Sequence, residues 1–219
     1  MQPESNDKRK SHSKVQSTYF DKHFDFFCHD VPESIQARTR KIVEETHINA
    51  DSKVLDVGTG TGALIKHFLE FGISQKNIIG CDLSQEMISN ARKRYPDVYY
   101  WHGDIIDFPL ALPEDAPKHI TSFDAIFFNA CFGNVWNQEQ TLIHSGKLLS
   151  SDAKIVISHP MGNRFVAALK VSEPELVPHL LPDLKRLEKW CVLMDGMVID
   201  KFIDEPDLYL AILRLHKTP

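Results

Sequence analysis

Residues 54–62 read Val54-Leu55-Asp56-Val57-Gly58-Thr59-Gly60-Thr61-Gly62, an apolar run that breaks into three glycines within five residues. A short apolar run bounded by glycines has the signature of a buried strand that turns into a helix, and the glycines let a ligand touch the backbone. Read from Gly58, GTGTGA satisfies the G-x-G-x-x-G/A pattern of dinucleotide sites, and an acid, Asp82, lies about twenty residues further on. Several nucleotide chemistries share this unit, so the loop alone does not choose among them.

The neighbouring pattern sets the fold. After the loop, Gly62 to Phe71 reads as a helix with Leu64, Ile65, Phe68 and Leu69 inward, stopped by Gly72. A second strand, NIIGCDL, ends at Asp82, and Ser84 caps a helix with Met87, Ile88 and Ala91 inward. A third strand, VYYWHGD, ends near Asp104; a fourth, FDAIFFNA, runs from Phe123 to about Ala130. A helix over roughly Gln138 to Leu149 and a fifth strand from Lys154 to Pro160 follow. MVIDKFID and LYLAILRL, joined by Glu205-Pro206-Asp207, then read as an antiparallel hairpin. Alternating strands and helices with this ending predict an α/β fold: a doubly wound, seven-stranded, mostly parallel sheet with a C-terminal antiparallel hairpin.

Upstream of the loop, Phe20, Phe24 and Phe27 recur at helical spacing, and a second helix follows Pro32 with Ile35, Thr39, Ile42, Val43 and Thr46 along one side. Residues 1–18 are polar and lack an apolar core, which predicts a disordered tail rather than a secretory signal. The expected organisation is this tail, then one domain over 19–219, with a helical lid at 19–50 and the core at 51–219.

The whole chain has 219 residues, is 42% hydrophobic and carries a formal charge of −5. That balance leaves no basic footprint for nucleic acid or an anionic membrane, and no run approaches a membrane span. The four cysteines are scattered, with no C-x-x-C pair, and read as reduced thiols of a cytoplasmic protein; organellar import stays open.

Electrostatics separates the candidate ligands. Asp56, Asp82 and Asp104 fall at the carboxyl ends of the first three strands, where ligands of open α/β sheets bind. Three acids suit a ligand with a positive centre and ribose hydroxyls, and suit a pyrophosphate poorly. S-adenosyl-L-methionine has a sulfonium, an ammonium, a ribose and an adenine, and no phosphate. A nicotinamide dehydrogenase is the competing reading, yet none of the five tyrosines has a lysine four residues later, the pair that single-domain short-chain enzymes carry.

The succession VLDVGTGTG, GCDLS, WHGDIIDFP, FDAIFFNACFGNV and KIVISHP resembles the class I S-adenosylmethionine-dependent methyltransferases, nearest to the small-molecule type 11 branch. The resemblance covers residues from about Tyr19 to the C-terminus and implies a Rossmann-like core. It implies an enzyme that converts S-adenosyl-L-methionine to S-adenosyl-L-homocysteine and passes the methyl group to a small-molecule acceptor. By this likeness Gly58, Thr59, Gly60 and Gly62 approach the methionine portion and ribose, and Asp56 acts on the ammonium group. Asp82 takes the ribose hydroxyls, Asp104 and Ile105 read the adenine edge, Leu83 and Met87 pack its faces, and Asn129 lies near the transferred methyl. Each has a plainer counterpart: Asp56 as a turn cap, Asp104 as a surface acid, Met87 as core.

The acceptor side is less legible. Enzymes of this kind that methylate exocyclic or amide nitrogens carry Asn/Asp-Pro-Pro-Tyr/Phe after the fourth strand. Here Asn129-Ala130-Cys131-Phe132 keeps the ends and loses both prolines, which argues against that acceptor class. His159, just after the fifth strand, is the candidate base, with loop hydrogen bonding as the alternative. His23, Cys28, His29 and Asp30 match no closed zinc site, so no metal is expected. A protein or RNA methyltransferase, or a sensor that binds the cofactor without turnover, are the other readings.

Overall fold

Val54–Val57 (β1) is buried along its whole length, as a strand covered on both faces must be. The computed structural model describes residues 3–29 and 31–216. Ahead of β1 stand α1 (Pro3–Lys22), α2 (Phe24–Cys28) and α3 (Glu33–Glu44). After it come α4 (Ile65–Glu70), β2 (Ile78–Asp82), α5 (Gln85–Arg94), β3 (Tyr99–His102) and β4 (Phe123–Asn129). The chain continues through α6 (Gln138–Gly146), β5 (Leu149–His159), α7 (Gly162–Ser172) and α8 (Leu184–Leu193), and ends in the hairpin β6 (Met197–Glu205) and β7 (Leu208–Leu215).

The strands form one sheet in the order β3-β2-β1-β4-β5-β7-β6. β1 pairs in parallel with both β2 and β4, and β7 runs antiparallel to both β5 and β6. This is the seven-stranded, mostly parallel sheet with a C-terminal antiparallel hairpin that the sequence predicts. The chain winds outward from β1 to β3 and then returns to β4, so the strand order reverses beside β1. A crevice opens at such a reversal, at the carboxyl ends of the strands, and here it receives the glycine loop.

Side chains alternate across the sheet and build two cores. Val54, Phe127 and Val156 face α3, α4 and α5, where Ile42, Phe68 and Ile88 meet them. Leu55, Phe128 and Ile157 face the other way, onto Leu142 of α6, Val166 of α7 and Trp190 of α8.

Three local differences from the sequence reading have plain causes. The helix expected from Gly62 begins at Ile65, because Gly62 takes φ +85° and 61–64 form a turn. β5 begins at Leu149 rather than Lys154, since Leu149 already pairs with Phe123. Residues 1–18, expected to be a disordered tail, lie almost wholly within α1. That expectation rested on the absence of apolar residues, whereas this part of α1 docks through polar ones and only its end, at Tyr19 and Phe20, packs through apolar ones. Arg9, His12, Ser13 and Gln16 recur at helical spacing, and all four bond to distant parts of the chain.

Asp30, part of the rejected zinc set, lies outside the described residues. Among the described residues no helix is long and apolar enough to cross a membrane.

Phe68 joins helix layer to sheet: it is fully buried, and its ring centroid lies 4.9 Å from that of Phe127. Phe68→Ala should cost about 3–5 kcal/mol and lower Tm by roughly 8–15 °C, read by urea and thermal unfolding.

Candidate active site

The glycine loop is held by its own amides. Gly58 and Thr59 donate to the Cys81 carbonyl at 2.8 and 3.1 Å, and Gly62 donates to Thr59 at 2.9 Å. Gly60 donates to the Asp82 carboxylate at 2.8 Å. Gly58 is required twice over: its φ is +65°, and a Cβ there would lie 2.7 Å from that of Cys131.

Asp82 joins two elements. One oxygen accepts from Gly60, and the other from the Ser84 amide at 2.9 Å, at the start of α5. Burial raises its pKa, while the amides of Ser84, Gly60 and Leu83 hold the rise in check. These two bonds leave the carboxylate with further acceptor positions for a ligand's hydroxyls.

Asp56 lies beneath the loop and is 2% exposed. It accepts the Thr59 hydroxyl at 2.7 Å. Desolvation pushes its pKa up to about 7; the Thr59 bond opposes the rise and the Asp82 charge adds to it. Asp104 caps the short 3₁₀ turn Ile105–Asp107 and accepts the Ile106 amide at 3.1 Å.

Beside the loop is a small cavity of about 70 Å³. Gly58, Asp82, Leu83 and Ile105 line it, as expected for residues at a ligand site. Cys81, Cys131, Asn134 and Val135 also line it, and sequence reasoning did not single them out. Burial pushes both thiols well above their ordinary pKa, so they are protonated packing groups rather than nucleophiles.

Other candidate residues stand off the cavity wall. Asp56 and Thr59 bond to each other, and Gly60, Gly62 and Asp104 are not among the lining residues. Met87 is 2% exposed and belongs to the inward face of α5 with Ile88 and Ala91.

Asn129 and His159, named together for the acceptor side, are not brought together. Asn129 accepts the Ser158 hydroxyl at 3.0 Å, on the face that Val156 shares. His159 follows Ile157 on the opposite face, where its ring meets Phe165 with centroids 5.3 Å apart. His159 Nδ1 accepts the Met161 amide at 3.1 Å, which places the ring proton on Nε2. Burial lowers its pKa to about 4. In this arrangement it is a neutral loop-bonding donor, with no lone pair left to take a proton.

α1 lies across the crevice. On one side, Arg9 and Ser13 reach Asp104 at 3.2 and 3.1 Å, and Asp21 accepts the Ser84 hydroxyl at 2.6 Å. On the other, His12 Nε2 lies 2.7 Å from the Asn134 carbonyl, and Gln16 donates to that of Leu176 at 2.8 Å. Neither Arg9 nor Ser13 was singled out from sequence. The available signal was the polar spacing of 9, 12, 13 and 16.

With this geometry in view, likeness to known proteins becomes informative. Residues 54–150 match the family model described as a methyltransferase domain. The chain is 32% identical over 124 residues to the ubiquinone/menaquinone biosynthesis C-methyltransferase of Citrifermentans bemidjiense, covering 56% of this chain and 52% of that protein. The chain spans about half, or less, of the length of the curated relatives it matches. Its fold is similar to a putative methyltransferase of Haloferax volcanii solved with the Trm112 activator. That pair has a TM-score of 0.72 and 14% identity, covering 94% of this chain and 98% of the other. It is also similar to the magnesium protoporphyrin IX methyltransferase of Synechocystis with bound S-adenosylhomocysteine, with a TM-score of 0.64, 12% identity and coverage of 93% and 99%.

The raised pKa of Asp56 has a measurable sign. The unfolded chain ionises this carboxyl near its ordinary value, so between about pH 4 and 7 the unfolded state binds fewer protons and stability falls as pH rises. Asp56→Asn removes this slope. Between pH 5 and pH 8 the variant should gain on wild type by on the order of 2–3 kcal/mol, measured by urea unfolding at each pH.

Proposed function

We propose that this chain, whose residues 54–150 match the methyltransferase-domain family model, is a class I S-adenosylmethionine-dependent methyltransferase that transfers a methyl group from S-adenosyl-L-methionine to a small-molecule acceptor. The observation that carries the choice of cofactor is the state of the loop amides. Gly58, Thr59, Gly60 and Gly62 all donate within the protein, and Asp82 stands among them. A pyrophosphate needs free amides and positive potential; these four amides are already taken, and the Asp56 and Asp82 carboxylates make the surroundings negative. The same surroundings favour a cation with ribose hydroxyls, which disfavours the dehydrogenase reading.

The residues fit the cofactor by their chemistry. Gly58 presents bare backbone, Asp82 keeps acceptor positions for ribose hydroxyls, and Leu83 and Ile105 supply apolar lining for an adenine. Asp56, poised to ionise near pH 7, supplies the negative charge for the ammonium group, through water or backbone. When bound, the cofactor supplies an electrophilic methyl on a sulfonium. The chain's own part is to bind, orient and exclude water, and such positioning is worth up to ~7–11 kcal/mol. Asn129 is the polar side chain we place near the acceptor, with its carbonyl oxygen anchored by Ser158. His159 we assign to loop structure.

A small acceptor is supported by α1, which is tied down on both sides of the crevice and leaves little room for a macromolecule. The named activity of the Citrifermentans relative, on a biosynthetic small molecule, points the same way. We place the catalytic core at 51–219, with α1 as its cover, in a reducing cytoplasm that suits the free cysteines.

Thermal unfolding with S-adenosylmethionine, S-adenosylhomocysteine and NAD⁺ tests the reading. A ligand at about 100 times its Kd adds ~2.7 kcal/mol, a rise of roughly 5–10 °C for a chain of this size. Both sulfur compounds should give that rise, and Asp82→Ala should abolish most of it. A rise with NAD⁺ alone would return the protein to the dehydrogenases.

A further inference from the structure

We propose that Arg9 positions Asp104 to read the exocyclic amino group of the cofactor's adenine, so that α1 is part of the cofactor site. This rests on the methyltransferase reading and goes further, because it gives a role in ligand selection to a segment that looked like a tail.

Geometry supports it. The Arg9 guanidinium forms a fork on Asp107, with Nη1 and Nη2 donating at 2.8 and 2.9 Å to its two oxygens. From that anchor Nη1 also reaches Oδ2 of Asp104 at 3.2 Å, and the Ser13 hydroxyl donates to the same oxygen at 3.1 Å. Among the described residues Oδ1 of Asp104 receives only the Ile106 amide. A carboxylate has about four acceptor positions, so one on Oδ1 remains open while the group is held against rotation. Gly103 and Ile105, on either side of Asp104, line the cavity. The open oxygen therefore belongs to a carboxylate at the cavity's edge, where an amino group of a flat heterocycle held by Leu83 and Ile105 can donate to it.

Burial separates this pair from an ordinary surface ion pair. The Arg9 and Asp104 side chains are 8% and 14% exposed, whereas the exposed pair of Arg40 and Glu44 has 51% and 57%. Arg9 Nε is buried and has no partner among the described residues. An unpaired buried donor costs stability, so the guanidinium is held here despite a penalty that helix docking alone would not require.

The test measures discrimination. S-inosylhomocysteine carries an oxygen where the adenine of S-adenosylhomocysteine carries its amino group. Calorimetric titration of both into the full chain gives an affinity ratio for wild type, Arg9→Gln, Arg9→Lys and Asp21→Asn. Asp21 holds α1 through Ser84, away from Asp104, so its variant controls for simple loosening of the helix.

Wild type should prefer S-adenosylhomocysteine. Arg9→Gln should weaken that ligand by roughly 10–100-fold and leave S-inosylhomocysteine within about threefold, collapsing the ratio. Arg9→Lys should recover part of it, and Asp21→Asn should keep the wild-type ratio. Equal losses for both ligands in Arg9→Gln would reduce Arg9 to a helix anchor and overturn the proposal. Tighter S-adenosylhomocysteine binding in Arg9→Gln would show that α1 competes with adenine, and would overturn it too. A wild-type chain that binds neither ligand would instead overturn the methyltransferase reading, and the proposal with it.

Discussion

The Asp82 carboxylate holds the glycine loop and the start of α5 in one frame. One oxygen takes the Gly60 amide and the other the Ser84 amide. Ser84 in turn caps α5 by accepting from the Met87 amide, and its hydroxyl donates to Asp21 of α1. Loop, helix start and covering helix thus meet through Asp82 at the end of β2 and Ser84 at the cap of α5. A buried carboxylate is tolerated because amide donors compensate its desolvation. The same compensation takes the Gly60 amide and places a carboxylate against the loop, so the structural role of Asp82 narrows the ligand chemistry of the crevice.

α1 shows a second way to bury a helix. Over its first four turns the inward stripe is polar, with Arg9 and Gln16 buried and His12 and Ser13 half-buried, each with a partner on the core, before Tyr19 and Phe20 pack there. Packing of this kind gains less per residue than apolar burial, since each bond replaces one made to water. It gives direction instead. Arg9 and Ser13 converge on Asp104, while His12 and Gln16 hold the far side of the crevice, so α1 is located by the groups it touches.

Much of the fold was legible. The buried strand VLDV, the Ser84 cap, the inward Met87, Ile88 and Ala91, and the hairpin about Pro206 are all where local pattern places them. The glycine loop and Asp82 were legible as well, because tight turns and strand-end acids have few sequence solutions. The boundaries of α4 and β5 were less so: one depends on the φ of Gly62 and the other on pairing with Phe123.

Sequence by itself determined the order of elements and the inward residues of the helices, since hydrophobic period and turn chemistry are local properties. Tertiary structure alone decided what covers the crevice. Arg9 and Asp104 lie 95 residues apart, and no local pattern marks a polar side chain as one that will be buried. It also decided the fate of His159, whose neighbours in sequence left base and loop roles open. The Met161 amide, which its Nδ1 accepts, and the surrounding burial, both products of the fold, favour the loop role.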